Sequence, residues 1–318
     1  MQWYHGRILE KFIDRELQKR FNEMKLEGST SDGFQPKKAK SVVSLVLEEY
    51  ITNQKKDKES LSNLKLNKDF AHIAANQIRL FIFAGNDTTA TAIGYTYHML
   101  ATHPDALFNL RVELDSVFGI EGDVADQLRE KPALLNQCRF TLAVIKETLR
   151  LYPPASSLRE GTTEVSLIDR KGPAIPTEGL NATIMHRFIH TNPRVWPRPL
   201  EFLPARWLVE PGHELHVPTT SGAYRPFEHG PRNCIGQTLV LNELRIALAM
   251  TARTFHIAPA YEEWDAIKAA NESSWTKLAR QLGIKKDEPK APKGERAYQT
   301  SRSGAHPAEG YPCRVTLL

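Results

Sequence analysis

Cysteine is scarce: Cys138, Cys234 and Cys313 are the only three in 318 residues, far apart and without a C-x-x-C pair. An odd, scattered set argues against a disulfide framework and a zinc cluster, and points to a reducing compartment. Long apolar runs are also missing. No stretch reaches the roughly 18 residues of a membrane span. The opening MQWYHGRILEKFIDRELQ is amphipathic and charged, unlike a secretory signal. No flavin or nicotinamide fingerprint and no internal repeat is present. Excess charge is small: 42 basic against 37 acidic residues leave +5 near neutral pH, with a pI of about 9.0. The acidic residues run through the whole chain. The balance therefore points away from nucleic acid and is equally compatible with a basic patch that receives an acidic protein.

What is present suits a globular chain with a sizeable core: 41% hydrophobic and 25% charged residues. Trp3, Ile8, Leu9, Phe12, Ile13, Leu17 and Phe21 recur at helical spacing, so the chain opens inside a helix. Polar loops are expected at Gly28–Lys40, in NQKKDKES and in KKDEPKAPKGE, with a short helix at SVVSLVLEEYI. One long helical pattern covers Lys68 to Met99, about 48 Å at 1.5 Å per residue. Further helices are expected at Asp105–Val117 and Leu134–Leu151, the second stopped by Pro153-Pro154. From Ala155 to Thr191 the texture turns β-prone, in runs such as TEVSLI and NATIMHRFI. Arg198–Ser221 is irregular, Ile235–Phe255 helical, WDAIKAANESSWTKLARQL a short helix, and GYPCRVTLL strand-like at its end. The fold class is mainly α with small β elements.

The chemistry concentrates in PFEHGPRNCIG, residues 226–236. Phe227, Gly230, Arg232, Cys234 and Gly236 satisfy F-x-x-G-x-R-x-C-x-G, a spacing that arises by chance in a chain of this length about once in 10⁴. A thiolate that holds haem iron needs the positive potential of a helix N-terminus, and Cys234 stands just before a helix. Gly230 and Gly236 let the backbone turn tightly against a flat macrocycle. Arg232 suits a propionate, and Phe227 suits packing near the sulfur. The bland alternative is a small buried cysteine in a loop.

With these residues the chain resembles the cytochrome P450 haem-thiolate monooxygenases. Three further segments carry the resemblance. FIFAGNDTTATAI matches A-G-x-D-T-T through Ala84, Gly85, Asp87, Thr88 and Thr89. Small residues there leave room for a diatomic ligand, and the acid–alcohol pair Asp87 and Thr88 suits proton delivery. A threonine hydroxyl in a helix also loosens it by bonding the carbonyl one turn back. KETLRLYPP holds E-x-x-R as Glu147 and Arg150, which share a helix face. Arg206 in FLPARW completes that triad by resemblance, with Ala205 where the family usually has Glu. Arg159 matches the arginine that reaches a haem propionate, and His186-Arg187 matches the family's H-R at a strand end, where a satisfied hydrogen bond is the simpler role for His186.

The resemblance runs from about Ser41 to the C-terminus. It implies one incomplete catalytic domain over 1–318, with the oxygen-activation helix at about 68–100 and the haem-binding loop at 226–236. Anchor, first sheet, early helices, W-x-x-x-R helix and substrate lid lie outside it. By resemblance the cofactor is haem b on Cys234, with O2 as co-substrate. Electrons come from NADPH through a separate NADPH-cytochrome P450 reductase, and the substrate is a small hydrophobic organic molecule. The full-length form would associate with the endoplasmic reticulum membrane, as in fungal microsomal enzymes of secondary metabolism. A haem-thiolate isomerase or dehydratase needs no proton relay, so Asp87-Thr88 argues against that class; a non-catalytic haem-binding fragment is the other alternative. The reductase is expected on the Cys234 face, where Arg225, His229, Arg232 and Arg245 gather, with Arg225 and Arg245 pointing outward.

Overall fold

The structure, a computed structural model, describes residues 2–30, 41–56, 64–168, 172–217, 222–282, 291, 294–300 and 305–318. Its order is α1 (Gln2–Thr30), α2 (Val42–Lys56), α3 (Lys68–Thr102), α4 (Pro104–Phe118), α5 (Val124–Glu130) and α6 (Arg139–Leu151). Strands β1 (Ser157–Glu160), β2 (Ser166–Leu167), β3 (Ile175–Pro176) and β4 (Asn181–Ile184) follow, then α7 (His186–His190), α8 (Gln237–Thr251), β5 (Phe255–Pro259), α9 (Tyr261–Ala270), α10 (Ser274–Gln281) and β6 (Cys313–Leu317). Among the described residues the strands form three antiparallel pairs: β1 with β4, β2 with β3, β5 with β6. Among the described residues, no helix is long and apolar enough to cross a membrane.

The chain divides into two compact units, Met1–Asn86 and Asp87–Leu318. In the first, Leu17, Phe21 and Met24 of α1 recur at helical spacing, as do Leu47, Tyr50 and Ile51 of α2, and all six are buried in one cluster. Tyr50 stacks on Phe70 at 4.2 Å between ring centroids. Its hydroxyl donates to the Lys65 carbonyl and accepts from the Asn67 amide, both at 3.0 Å, which fixes the entry to α3. Asn67 caps that helix: its side-chain oxygen accepts from the amides of Asp69 and Phe70. The second unit is built on α4, α6 and α8, with Leu110, Leu114, Val144, Ile145, Leu149, Leu244 and Leu248 in its core. Glu113 of α4 reaches across to accept from the Thr141 amide and hydroxyl, both at 2.8 Å. An acidic group from another helix thus caps α6.

Several expectations need correction. The helix expected over Leu134–Leu151 is a 3₁₀ turn at Pro132–Gln137, a break at Cys138, and then α6. The β-prone run NATIMHRFI is strand only to Ile184. HRFI winds into α7 because His186 and His190, four apart, are both buried on one face. The single helix expected in WDAIKAANESSWTKLARQL is two, α9 and α10. Helix α5 gave no signal in the sequence reading, although Asp123 caps it by accepting from the Asp126 amide at 2.9 Å. Helices α1 and α2 run into the polar segments at Gly28 and Asn53. The remainder of those two loops, and most of KKDEPKAPKGE, lies outside the described residues.

Candidate functional site: the cysteine loop and the groups that hold it

Cys234 lies three residues ahead of α8, in a turn whose Gly236 is the helix N-cap. The loop is closed by the Cys234 amide, which donates to the Phe227 carbonyl at 2.8 Å. Phe227 is half-buried against the core, so the sulfur-bearing residue hangs from an anchored aromatic. Gly230 has φ +79, the left-handed region that glycine alone enters without penalty. A Cβ on Gly236 would stand 3.8 Å from the Cys234 sulfur. The glycine thus keeps one flank of the sulfur clear. Cys234 is exposed, and its neighbours Ile235 and Leu239 are 89% and 71% exposed. Arg232 is exposed beside them.

Beneath this surface Glu147, Arg150 and Arg206 meet in one buried network. Arg150 holds the Glu147 carboxylate with two hydrogen bonds, 2.8 and 2.9 Å. Arg206 donates to the same carboxylate at 3.0 Å, as do the Leu203 amide at 3.0 Å and the Trp207 indole at 2.9 Å. Both arginines also lie over the Trp196 ring. Ala205 stands exposed on the 3₁₀ turn Pro204–Trp207, so the network closes without a second acid at that position.

His190, which the sequence reading passed over, joins this network to the cysteine loop. Its Nδ1–H donates to the Arg150 carbonyl at 3.1 Å, and its Nε2 accepts from the Arg225 amide at 3.0 Å. The acceptor role of Nε2 requires the neutral ring. Burial, reinforced by nearby His186, lowers the His190 pKa from the ordinary 6.5 to about 3. The unfolded chain therefore takes up a proton on His190 well before the folded chain does. The resulting stability is complete above pH 6.5 and is lost as pH falls toward 3. Between pH 6.5 and 5 the expected loss is about 2 kcal/mol. Urea unfolding of wild type and His190→Gln at both pH values checks this: equal losses in the two proteins would refute it.

Glu228, inside the loop, is a second group the sequence reading missed. It takes φ +61, a conformation that costs a residue with a Cβ about 1 kcal/mol. Three basic groups hold it there. Arg225 grips its carboxylate with two bonds of 2.9 Å, His186 lies 2.9 Å away, and Arg159 of β1 approaches to 3.6 Å. Burial pushes the Glu228 pKa upward, but the bonds from Arg225 and His186 outweigh it and hold the carboxyl below its usual range. Arg159, half exposed, otherwise donates to its own neighbour's carbonyl, Leu158. His186 Nδ1 bonds the Ala155 carbonyl at 3.0 Å, so His186 is a satisfied structural histidine at the start of α7. The one signal available was the acid itself, a charged residue between Phe227 and Gly230.

Helix α3 carries the remaining candidates. Ala84 and Gly85 are exposed and belong to the first unit; Asp87 and Thr88 belong to the second. The helix stays α-helical through all four. Asp87 pairs with His306, Oδ2 to Nε2 at 3.2 Å, and Thr91 shares the other ring nitrogen at 2.8 Å. The expected outward pair Arg225 and Arg245 is a correction. Arg225 is spent on Glu228, and Arg245 turns back to the Leu241 and Leu135 carbonyls, because those acceptors lie within reach of each guanidinium.

A mainly helical second unit with an exposed cysteine at the head of a core helix narrows the class of protein, and comparison with known proteins agrees. Residues 4–278 match the family described as Cytochrome P450. The match starts well before Ser41, so α1 belongs to it. The chain is 44% identical over 282 residues to the cytochrome P450 monooxygenase polC of Polytolypa hystricis, covering 88% of this chain and 47% of that protein. It is 33% identical over 302 residues to the cytochrome P450 monooxygenase acrF of Aspergillus aculeatus, covering 88% and 56%. A crystal structure of a cytochrome P450 superposes with a TM-score of 0.62 at 22% identity, covering 96% of this chain and 56% of that one. The chain belongs to the cytochrome P450 family. It spans about half the length of the curated relatives it matches.

Family membership implies haem on a thiolate. The residues present fit such a group: an exposed sulfur, a clear flank at Gly236, bare apolar surface at Ile235 and Leu239, and an exposed arginine for an anionic edge.

Proposed function

We propose that this chain is the haem-bearing part of a monooxygenase that inserts one oxygen atom of O2 into a small hydrophobic organic substrate, as in fungal secondary metabolism. Electrons reach it from NADPH through a separate reductase. The observation that carries the reading is the cysteine loop, which presents the Cys234 sulfur outward on an anchored backbone beside uncovered apolar side chains. When bound there, haem would supply oxygen activation, and the electron donation of a thiolate ligand favours O–O cleavage. The chain's own residues do the rest. Cys234 ligates; Arg232 and Arg159 neutralise the anionic edge; Gly230 and Gly236 keep the face flat. Asp87 and Thr88 hold and pass the protons that reduction of oxygen consumes. Glu147, Arg150 and Arg206 keep the floor of the loop rigid.

Coupling tests the reading. With reductase and NADPH, the haem-loaded protein should place oxygen from O2 in product. Thr88→Ala should still consume NADPH while diverting most of the oxygen to peroxide. Unchanged coupling in Thr88→Ala would remove the threonine from proton delivery. Absence of any oxygenated product from the wild type, across a panel of apolar substrates, would overturn the monooxygenase reading.

A further inference from the structure

The pairing of His306 with Asp87 gives the acid a partner from the other end of the sequence. We propose that His306 delivers protons from solvent to Asp87; this rests on the monooxygenase reading, in which Asp87 needs a supply. The geometry has three parts. His306 Nε2 lies 3.2 Å from Asp87 Oδ2, and Nδ1 lies 2.8 Å from the Thr91 hydroxyl. Thr91 is itself buried and sits one helical turn beyond Asp87. The imidazole and the carboxylate are each one-third exposed, so the pair touches both solvent and helix.

The backbone around His306 is fixed. Its carbonyl accepts from the Thr300 amide at 2.8 Å and the Thr300 hydroxyl at 3.2 Å. The preceding Ala305 amide donates to the Pro154 carbonyl at 3.2 Å, and its carbonyl accepts from the Gln299 side chain. A ring so held is presented to Asp87 rather than meeting it by chance. His306 and Thr91 also line a cavity of about 560 Å³, together with Gly94, Tyr97, Tyr311 and Cys313. At about 30 Å³ per molecule it has room for a chain of waters. Among the described residues, the titratable groups around the ring are Asp87, Tyr97, Tyr311 and Cys313, and the carboxylate is the one in direct contact.

The transfer balances. In the resting pair Nε2–H donates to the Asp87 carboxylate, and the Thr91 hydroxyl donates to Nδ1. The Thr91 hydroxyl turns to accept, solvent adds a proton at Nδ1, and the Nε2 proton moves to Asp87. The carboxylic acid formed gives its proton onward, past Thr88, to the oxygen being reduced. The ring then loses its Nδ1 proton and regains one at Nε2, both by exchange with water. Histidine suits this because its two nitrogens take and give protons within one ring.

Two measurements test it. In the protein as isolated, the ¹⁵N shifts of His306 should show protonated Nε2 and bare Nδ1, and Asp87→Asn should abolish that preference. The opposite tautomer, or one indifferent to Asp87→Asn, overturns the proposal. In the haem-loaded enzyme, His306→Gln keeps an N–H donor for Asp87 but cannot relay protons. Coupled product formation should then fall on the order of tenfold, with more peroxide and an unchanged reduced-CO spectrum. Coupling preserved in His306→Gln overturns the relay. If wild type forms no product, the monooxygenase reading fails, and the tautomer measurement alone decides the role of the pair.

Discussion

Glu147→Ala is expected to lower the unfolding free energy by about 3–5 kcal/mol. The Glu147 carboxylate is fully buried and collects hydrogen bonds from Arg150, Arg206, the Leu203 amide and the Trp207 indole. Removing it leaves two guanidinium groups facing each other in the core without a counter-charge. Arg206 already bears the strain of burial. Its pKa is pushed down by desolvation, against the pull of Glu147, and its Nη1 has no hydrogen-bond partner among the described residues. Arg150 also donates to the carbonyls of His190, Pro199 and Glu201, so the α7 segment and the 3₁₀ turn Pro204–Trp207 would loosen together. Natural domains hold only about 5–15 kcal/mol in reserve. A urea midpoint for Glu147→Ala within 1 kcal/mol of wild type would show that the network contributes little. Glu147→Gln is expected to fall between the two, since the amide keeps one acceptor but puts an N–H against an arginine.

Cys234→Ala is expected to abolish the red-shifted Soret band of a thiolate-ligated, CO-bound reduced haem, with the fold intact. The substitution removes an exposed sulfur and no packing atom of the core, so urea stability should change by less than about 0.5 kcal/mol. The backbone bond from residue 234 to the Phe227 carbonyl survives. Cys138 cannot take over. It is buried at the break before α6, and desolvation, reinforced by Glu113, raises its pKa to about 11. Cys313 is exposed, but on β6. Retention of the thiolate band in Cys234→Ala would move the ligand elsewhere and take the proposed function with it.

How much of this was legible in the sequence follows from the range of each interaction. The long helix α3, the helix α8 that follows Cys234 and the terminal strand β6 are set by local periodicity, and the sequence carried most of each. The spacing of Glu147 and Arg150 is likewise local: three residues on one helix must face the same way. The strand expected at HRFI failed because burial of His186 and His190, not propensity, decides the conformation there.

The amino-acid sequence by itself determined the family, through five residues spaced around Cys234 and the short segments on three helices and turns. It also determined which residues carry acid, thiol and guanidinium groups. Only the tertiary structure decided their partners. Glu228 meets Arg159 and His186 across gaps of 69 and 42 residues, since 228 − 159 = 69 and 228 − 186 = 42. Asp87 meets His306 from 219 residues away, since 306 − 87 = 219. Arg225 and Arg245, which by composition belong on an outward patch, are turned inward by nearby acceptors. The physical reason is that a buried charge takes whatever counter-group the packed chain places within about 3 Å. That choice is made by how helices and loops close on one another, and no local pattern of residues encodes it.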